Sequence, residues 1–182
     1  VPTFPYYKEF NGFGNIRLAM DWWYKRFLKN YVNRIVLIGQ KDELWGIKTI
    51  KITNGINSRK KEAGDYERKE GEVRLLAVGN WKNWHGLDRL ISGMGHYYQK
   101  VPSVLIKLDV IGGGSVVQYY KQQVQQLKLE NYVVFHGEVQ NDQLDRFFHC
   151  ANIGIGTLGN HRIGLTEHSP LKHREYCSYG LP

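Results

Sequence analysis

The sequence predicts an α/β protein with a doubly wound parallel sheet, and two observations lead to this prediction. After residue 72, short apolar runs alternate with segments of helical periodicity. The runs are apolar throughout instead of alternating apolar with polar residues, which is typical of strands buried on both faces. Such strands, joined by helices, form a parallel sheet with helices packed on its two sides.

The elements of this sheet can be placed in order along the chain. We expect strands over 73–78, 104–111, 132–135 and 153–157, and helices over 87–98, 115–129, 143–150 and 171–179. The helix over 115–129 shows the pattern clearly, because Val117, Tyr120 and Val124 recur at steps of three and four residues and form one apolar face. No stretch approaches the roughly 20 apolar residues that a membrane-spanning helix needs, so a cytoplasmic location is expected.

The first part of the chain has a different pattern, which we interpret as the tail of another domain. Apolar residues at helical spacing predict a helix over 13–31, and β-branched residues predict strands over 34–38 and 47–53. Residues 57–72 are charged and almost without large aliphatic side chains, as in a surface linker. The predicted organisation is a domain tail over 1–56, a linker over 57–72 and an incomplete second domain over 73–182.

The two ends of the chain support the same organisation. The sequence begins with Val1 instead of Met and ends at Pro182, where a turn should lead into a further strand. We therefore expect both ends to be truncated.

The net charge of +8 is concentrated in the first part of the chain. Residues 1–70 hold 14 Lys and Arg against 8 Asp and Glu, whereas residues 71–182 hold 11 against 9. A basic surface fits a solvated helix face, an anionic membrane surface or nucleic acid. Aromatic residues stand among the cations over 22–29, which keeps a basic nucleic-acid-binding α/β module as the alternative function. The chain lacks a recognisable nucleic-acid-binding motif, so no nucleic-acid partner is expected.

Ligands of a parallel sheet bind outside the carboxyl ends of its strands, which directs attention to four loops. These loops are 79–86, 112–115, 137–141 and 158–170. In the second loop, Gly112, Gly113 and Gly114 would let the backbone approach a phosphate closely. The loop has neither the Gly-x-Gly-x-x-Gly of a dinucleotide site nor the Gly-Lys-Ser/Thr of a P-loop, which argues against a dehydrogenase or a nucleoside triphosphatase.

A pair of carboxylates near the end of the chain is the candidate catalytic feature. Glu167 is expected in the loop after the last strand, and Glu175 on the helix that begins near Pro170. Carboxylates accept hydrogen bonds from neighbouring hydroxyl groups, such as those of a ribose or a hexose. The two glutamates therefore predict a sugar-containing ligand.

An ordered set of segments resembles the C-terminal domain of glycosyltransferase family 4. Each segment is short, but together they follow the order of that family: 52–57, 73–79, 86–91, 110–114, 133–137, 144–155, 169–176 and 180–182. The resemblance implies the two-domain GT-B architecture, of which this chain would carry most of the Rossmann-like C-terminal half. The segment over 81–89 is similar to that of a polysaccharide-assembly subgroup of bacterial enzymes.

The resemblance also implies an activity and its partners. Members transfer a sugar from a nucleotide-diphosphate donor to a glycan or lipid-linked acceptor, with retention of configuration and without a cofactor or an essential metal. The expected context is capsule or other cell-surface polysaccharide synthesis, at the inner membrane face. The catalytic pair would be Glu167, near the donor sugar, and Glu175, on the ribose hydroxyls. The acceptor domain would be missing, so we expect no turnover by this chain alone.

One departure from the family pattern concerns the donor phosphates. The usual Arg and Lys of the first loop are replaced here by Asn80 and His85. The cation that balances the diphosphate would then come from Lys82, from Lys172 or from protonated His85. The candidate donor-binding residues are Gly79, Asn80, Lys82, His85, Gly112, Gly113, Gly114, Arg162 and Lys172. A phosphorylase-like or epimerase relative of the same architecture is a further interpretation, because fold does not determine function.

Overall fold

The computed structural model describes residues 13–53, 55–56, 70–164 and 170–182. The chain forms two compact units, 1–54 and 55–182. Most of the predicted linker over 57–72 lies outside the described residues, so its role as a linker stays a prediction. Within the described part of the chain, no helix combines the length and apolar character needed to cross a membrane.

The first unit contains one helix and a small mixed sheet. Helix α1 spans Phe13–Tyr24 and continues as a 3-10 helix over Lys25–Asn30; strands β1, β2 and β3 span Ile35–Ile38, Glu43–Leu44 and Ile47–Ile52. The strand order is β1-β3-β2, with β1 parallel and β2 antiparallel to β3. The prediction of a continuous α-helix was wrong for its second half, where the tighter 3-10 geometry common at helix ends replaces it.

The second unit is the expected parallel sheet with helices between its strands. The strands are β4 (Glu72–Val78), β5 (Leu105–Ile111), β6 (Val133–Gly137) and β7 (Ile153–Gly154); the helices are α2 (Leu87–Tyr98), α3 (Val117–Gln126), α4 (Asn141–Cys150) and α5 (Leu171–Ser178). All pairings are parallel, in the order β6-β5-β4-β7. The predicted fold class is confirmed.

Both faces of the sheet are buried along β4 and the end of β5, as the uniformly apolar strands predicted, whereas the outer strand β6 is largely exposed. Neighbouring residues of one strand point to opposite faces. Leu75 of β4 packs in a cluster with residues of α2 and α3, including Ile91 and Val124. The next residue, Leu76, packs in a second cluster with Phe148 of α4 and Tyr176 of α5. Each helix pair thus covers one side of the sheet.

Two elements of the second unit are shorter than expected, for different reasons. Helix α3 ends at Gln126 instead of residue 129, because Lys128 takes the left-handed backbone conformation with φ of 56°. Strand β7 ends at Gly154, since it pairs with β4 only at Leu75 and Leu76. A Cβ atom on Gly154 would lie 2.3 Å from the Tyr176 ring, so the glycine lets α5 pack directly on β7.

Candidate functional site

The loops that follow β4, β5 and β6 meet at the carboxyl edge of the sheet. The loop after β4 (79–86) is called the first loop, and the loop after β5 (112–114) the glycine loop. The Gly79 amide donates to Ile111 O at 3.1 Å, and the Trp81 amide donates to Gly113 O at 2.7 Å. The Gly112 amide donates to Gly137 O at 2.6 Å. Backbone hydrogen bonds therefore hold these loops together where a parallel sheet binds its ligands.

Two glycines of the glycine loop are required by packing against the first loop. Gly112 and Gly114 have φ values of 103° and 138°. A Cβ atom would lie 2.0 Å from Gly79 O at position 112, and 2.2 Å from Trp81 O at position 114. The sequence analysis expected these glycines to let the backbone approach a phosphate. The structure shows another reason for them, because a Cβ atom at either position would clash with the first loop. At Gly113, the added atom would lie 3.0 Å from a carboxylate oxygen of Glu138.

The first loop is built around Trp81, a residue that sequence reasoning did not select. Its side chain is fully buried, and its indole N–H donates to Ile111 O at 3.1 Å. His85 packs edge-on against the Trp81 ring, with 5.4 Å between centroids. The Nδ1 atom of His85 accepts a hydrogen bond from the Lys82 amide at 2.9 Å. The same nitrogen lies 3.3 Å from Lys82 O, so these contacts hold the imidazole ring against the first loop.

The segment after β7, here called the third loop (155–164), closes against the first loop. The Leu158 amide donates to His85 O at 2.8 Å, and a Cβ atom on Gly86 would lie 2.6 Å from the Gly159 amide nitrogen. Arg162 donates to both carboxylate oxygens of Asp88, at 2.9 and 2.6 Å. This side-chain hydrogen bond lowers the pKa of Asp88. Arg162 thus ties the third loop to the start of α2, and its role as a donor contact stays a prediction.

Helix α5 begins at the same edge and places Lys172 beside the first loop. The Lys172 Nζ atom lies 5.4 Å from the centroid of the Trp81 ring. It is buried, and the described residues provide no hydrogen-bond acceptor for it. Burial lowers the pKa of Lys172 to about 8. Because an unpaired buried ammonium is costly, a nearby anion would stabilise the charged form of Lys172.

A tyrosine of α5 fixes this helix to the strand ends. The Tyr176 hydroxyl accepts a hydrogen bond from the Val78 amide at 3.1 Å and donates to Ile155 O at 3.2 Å. Burial raises the pKa of Tyr176, because the ionised ring would lose its hydration. Sequence reasoning did not select this residue either, although it lies one turn after Lys172 on the same helix face.

The structure describes one member of the predicted glutamate pair, and the catalytic role of both stays a prediction. Glu175 is half-buried on α5, three residues after Lys172, and its carboxylate has no hydrogen-bond or ion-pair partner among the described residues. Glu167 lies outside the described residues, so the convergence of the two carboxylates stays a prediction. Gly79 and Lys82 are half-buried in the first loop, and Asn80 is exposed there.

A metal centre is not evident in the part of the chain that the structure describes. No group of three or more His, Cys, Asp or Glu side chains is arranged to hold an ion there. Within the described residues, the candidate site combines the joined loops with the buried ammonium of Lys172 and with Glu175 at the edge of the sheet.

A comparison with protein families finds one match over most of the second unit. The family described as "Glycosyl transferases group 1" matches residues 58–182. A comparison with curated proteins finds no match.

Three solved structures illustrate the similarity in fold. The pneumococcal O-GlcNAc transferase GtfA in complex with UDP and GlcNAc has a TM-score of 0.64 and 14% identity, covering 87% of this chain and 31% of that one. TarM of S. aureus, in a complex that includes UDP, has a TM-score of 0.56 and 15% identity, covering 75% and 27%. The lipopolysaccharide outer core galactosyltransferase WaaB has a TM-score of 0.56 and 19% identity, covering 74% and 36%.

These likenesses concern the fold alone, because the identities are low. The chain spans about a third of the length of the structures it matches. Their carboxyl-terminal Rossmann-like domains correspond to the sheet formed by β4 to β7.

Proposed function

Because this chain belongs to the glycosyl transferases group 1 family, we propose that it binds the donor in a retaining glycosyltransferase. The reaction would move a sugar from a nucleotide-diphosphate donor to a glycan or lipid-linked acceptor. One observation carries the proposal: three loops and the start of α5 meet at the carboxyl edge of the family-matching sheet. That edge is where open parallel sheets bind nucleotides.

The chemistry of the edge supports an anionic, sugar-containing ligand. Backbone amides at the start of α5 face outward from the helix, and their dipole favours negative charge. The Glu175 carboxylate, one turn further on, has the acceptor capacity for ribose hydroxyls. Glu167 is proposed near the donor sugar, with the glycine loop beside the nucleotide. Together these groups would match the three parts of a nucleotide-diphosphate sugar.

The leaving group sets the main electrostatic demand on such a site. When the bond between the anomeric carbon and the diphosphate breaks, the electron pair stays with the diphosphate oxygen. The added negative charge has to be stabilised in the transition state, by a cation or by backbone amides. We propose that protein groups provide this charge, without a cofactor.

The similar structures suggest which nucleotide to test first. GtfA and TarM were solved with UDP, so UDP is the first candidate and GDP the second. Membership of family 4, a role in polysaccharide assembly and a site of action at the inner membrane face are part of the proposal. They are supported by the ordered segments between 52 and 182 and by the basic first part of the chain.

Nucleotide binding to the purified chain tests the proposed function. We expect UDP or GDP to raise the midpoint of thermal unfolding, and Glu175→Gln to weaken binding by about tenfold or more through the lost ribose contact. Glu130→Gln is the matched control, because Glu130 is exposed between α3 and β6. A chain that no nucleoside diphosphate stabilises would contradict the proposal.

One observation keeps the nucleic-acid-binding alternative testable. Trp22 and Trp23 are 60% and 54% exposed, and the Arg26 guanidinium lies 4.1 Å from the Trp22 ring centroid. Bases would have to displace this cation to stack on Trp22. DNA binding that falls steeply with salt, without nucleotide stabilisation, would favour the alternative.

A further inference from the structure

The side chain of Lys172 is buried in a way that does not stabilise its charge. Its Nζ atom is buried, and within the described part of the chain it meets no hydrogen-bond acceptor. The group it contacts there is the face of Trp81, at 5.4 Å from the ring centroid. A cation–π contact compensates only part of the lost hydration of an ammonium. The lowered pKa of about 8 reflects this cost. An anion bound next to the Lys172 ammonium would offset this energetic cost.

The position of the ammonium is fixed from two sides. Trp81 is held by its indole hydrogen bond to Ile111 O and by its amide bond to Gly113 O. Helix α5 is held by the Tyr176 hydroxyl, which bonds to the end of β4 and to the residue after β7. The ammonium therefore lies where the first loop, the glycine loop and the first turn of α5 meet. These elements lie at the carboxyl edge, where a parallel sheet binds its ligands.

Two other cationic candidates of this edge, Arg162 and His85, already have partners within the protein. Arg162 is paired with both carboxylate oxygens of Asp88. His85 is held against the first loop by contacts of Nδ1 with the Lys82 amide nitrogen and with Lys82 O, at 2.9 and 3.3 Å. Asn80 carries no charge. Lys82 is half-buried in the first loop and is the competing candidate for the test.

We propose that Lys172 is the cation that binds the diphosphate of the donor; this inference rests on the proposed function. A diphosphate supplies several strong acceptors and a negative charge, which a lysine binds as a point charge. The Trp81 ring forms the wall behind the lysine stem. Lys172 would thus make the site prefer a nucleoside diphosphate over the matching monophosphate and nucleoside.

The test compares ligands that differ only in their phosphates. Calorimetry on this 182-residue chain would first find which of UDP, GDP and ADP binds the unchanged protein most tightly. The matching monophosphate and nucleoside are then titrated into the unchanged chain and into Lys172→Met. Methionine keeps the unbranched stem over Trp81 and removes the charge, so folding is retained.

We expect a selective loss in Lys172→Met. The dissociation constant for the diphosphate should rise by roughly 10- to 100-fold, as for the loss of a charged hydrogen bond. The constant for the nucleoside should change by less than about threefold. Lys121→Met is the matched control: Lys121 also lies over an aromatic ring, Phe135 at 5.8 Å, but it is exposed on α3. That variant should bind all three ligands as the unchanged chain does.

Each other outcome overturns the inference in a recognisable way. Equal losses for diphosphate and nucleoside in Lys172→Met would mean that the lysine only supports the structure. An unchanged diphosphate constant would show that another group binds the phosphates, and a loss in Lys82→Met instead would assign them to Lys82. If the unchanged chain binds no nucleoside diphosphate, the proposed function fails together with the inference.

Discussion

Arg162 and Asp88 form a two-point ion pair that joins the third loop to the start of α2, with N–O distances of 2.9 and 2.6 Å. Arg162 also donates to the backbone oxygen of Asn83 at 2.8 Å. Arg162 therefore connects the third loop both to the first loop and to the start of α2. Its two side chains are 24% and 18% exposed, which places it between a surface pair and a buried one.

The first prediction concerns the stability of this pair. Arg162→Met or Asp88→Asn alone should lower the free energy of unfolding by about 1–3 kcal/mol, because each leaves a partly buried partner unsatisfied. The double variant should cost less than the sum of the two. Urea unfolding of the four proteins measures this. Additive losses would mean that the two side chains do not interact.

The second prediction concerns the glycine loop. Gly114→Ala places a Cβ atom 2.2 Å from Trp81 O at a φ of 138°, so the two loops must separate and stability should fall by several kcal/mol, about the loss of a core contact. Gly93→Ala in α2 is the control, since its added atom meets nothing within 4 Å. That change should stabilise the helix by about 0.5–1 kcal/mol. Equal midpoints of thermal unfolding for the two variants would contradict the claim that residue 114 must be glycine to avoid a clash with Trp81 O.

The third prediction concerns the Tyr176 hydroxyl. Tyr176→Phe leaves the Val78 amide without its partner and should lower the free energy of unfolding by about 1–3 kcal/mol. Tyr119→Phe is the control, because Tyr119 is 56% exposed. Chemical unfolding of both variants is the measurement. A loss of equal size in Tyr119→Phe would show that the effect does not come from the bond to β4.

The fourth prediction concerns pH and follows from Lys172. The pKa of this lysine is about 8 in the folded chain against an ordinary value of 10.5, so between these values the unfolded chain binds more protons. The free energy of unfolding should therefore rise with pH across this window, by at most about 3 kcal/mol. Above the ordinary tyrosine value of 10.0 the trend should reverse, because burial raises the pKa of Tyr120 to about 12 and also raises that of Tyr176.

Thermal unfolding of the unchanged chain and of Lys172→Met at several pH values would check this trend. The rise above pH 8 should be absent in the variant, whereas the fall at higher pH should remain in both proteins. A rise of the same size in Lys172→Met would assign the effect to another group.

The sequence predicted those elements whose pattern is local. Helix α2 has the predicted bounds of Leu87 and Tyr98, because a glycine precedes it and its apolar face is regular. Helix α1 was overestimated, since its periodicity continues through residues that adopt 3-10 geometry. The end of α3 depends on the left-handed backbone of Lys128, for which no local pattern exists. Strand β2, two residues long, is too short to produce a pattern.

The sequence predicted which loops form the candidate site, but it did not predict the side-chain contacts between them. The rule for parallel sheets places the loops after β4, β5 and β7 at one edge. The contact of Lys172 with Trp81, and that of Arg162 with Asp88, join residues far apart in sequence. Such contacts depend on the packing of whole elements and leave no spacing signal. Trp81 could have been noticed as a large apolar residue within a polar loop.

The most direct test of the account is a crystal structure of this chain with the nucleoside diphosphate that binds it. We expect the diphosphate at the start of α5, with an oxygen within roughly 3 Å of Lys172 Nζ, and the ribose hydroxyls at the Glu175 carboxylate. A nucleotide bound away from the carboxyl ends of β4 and β5, with neither side chain in contact, would contradict the account.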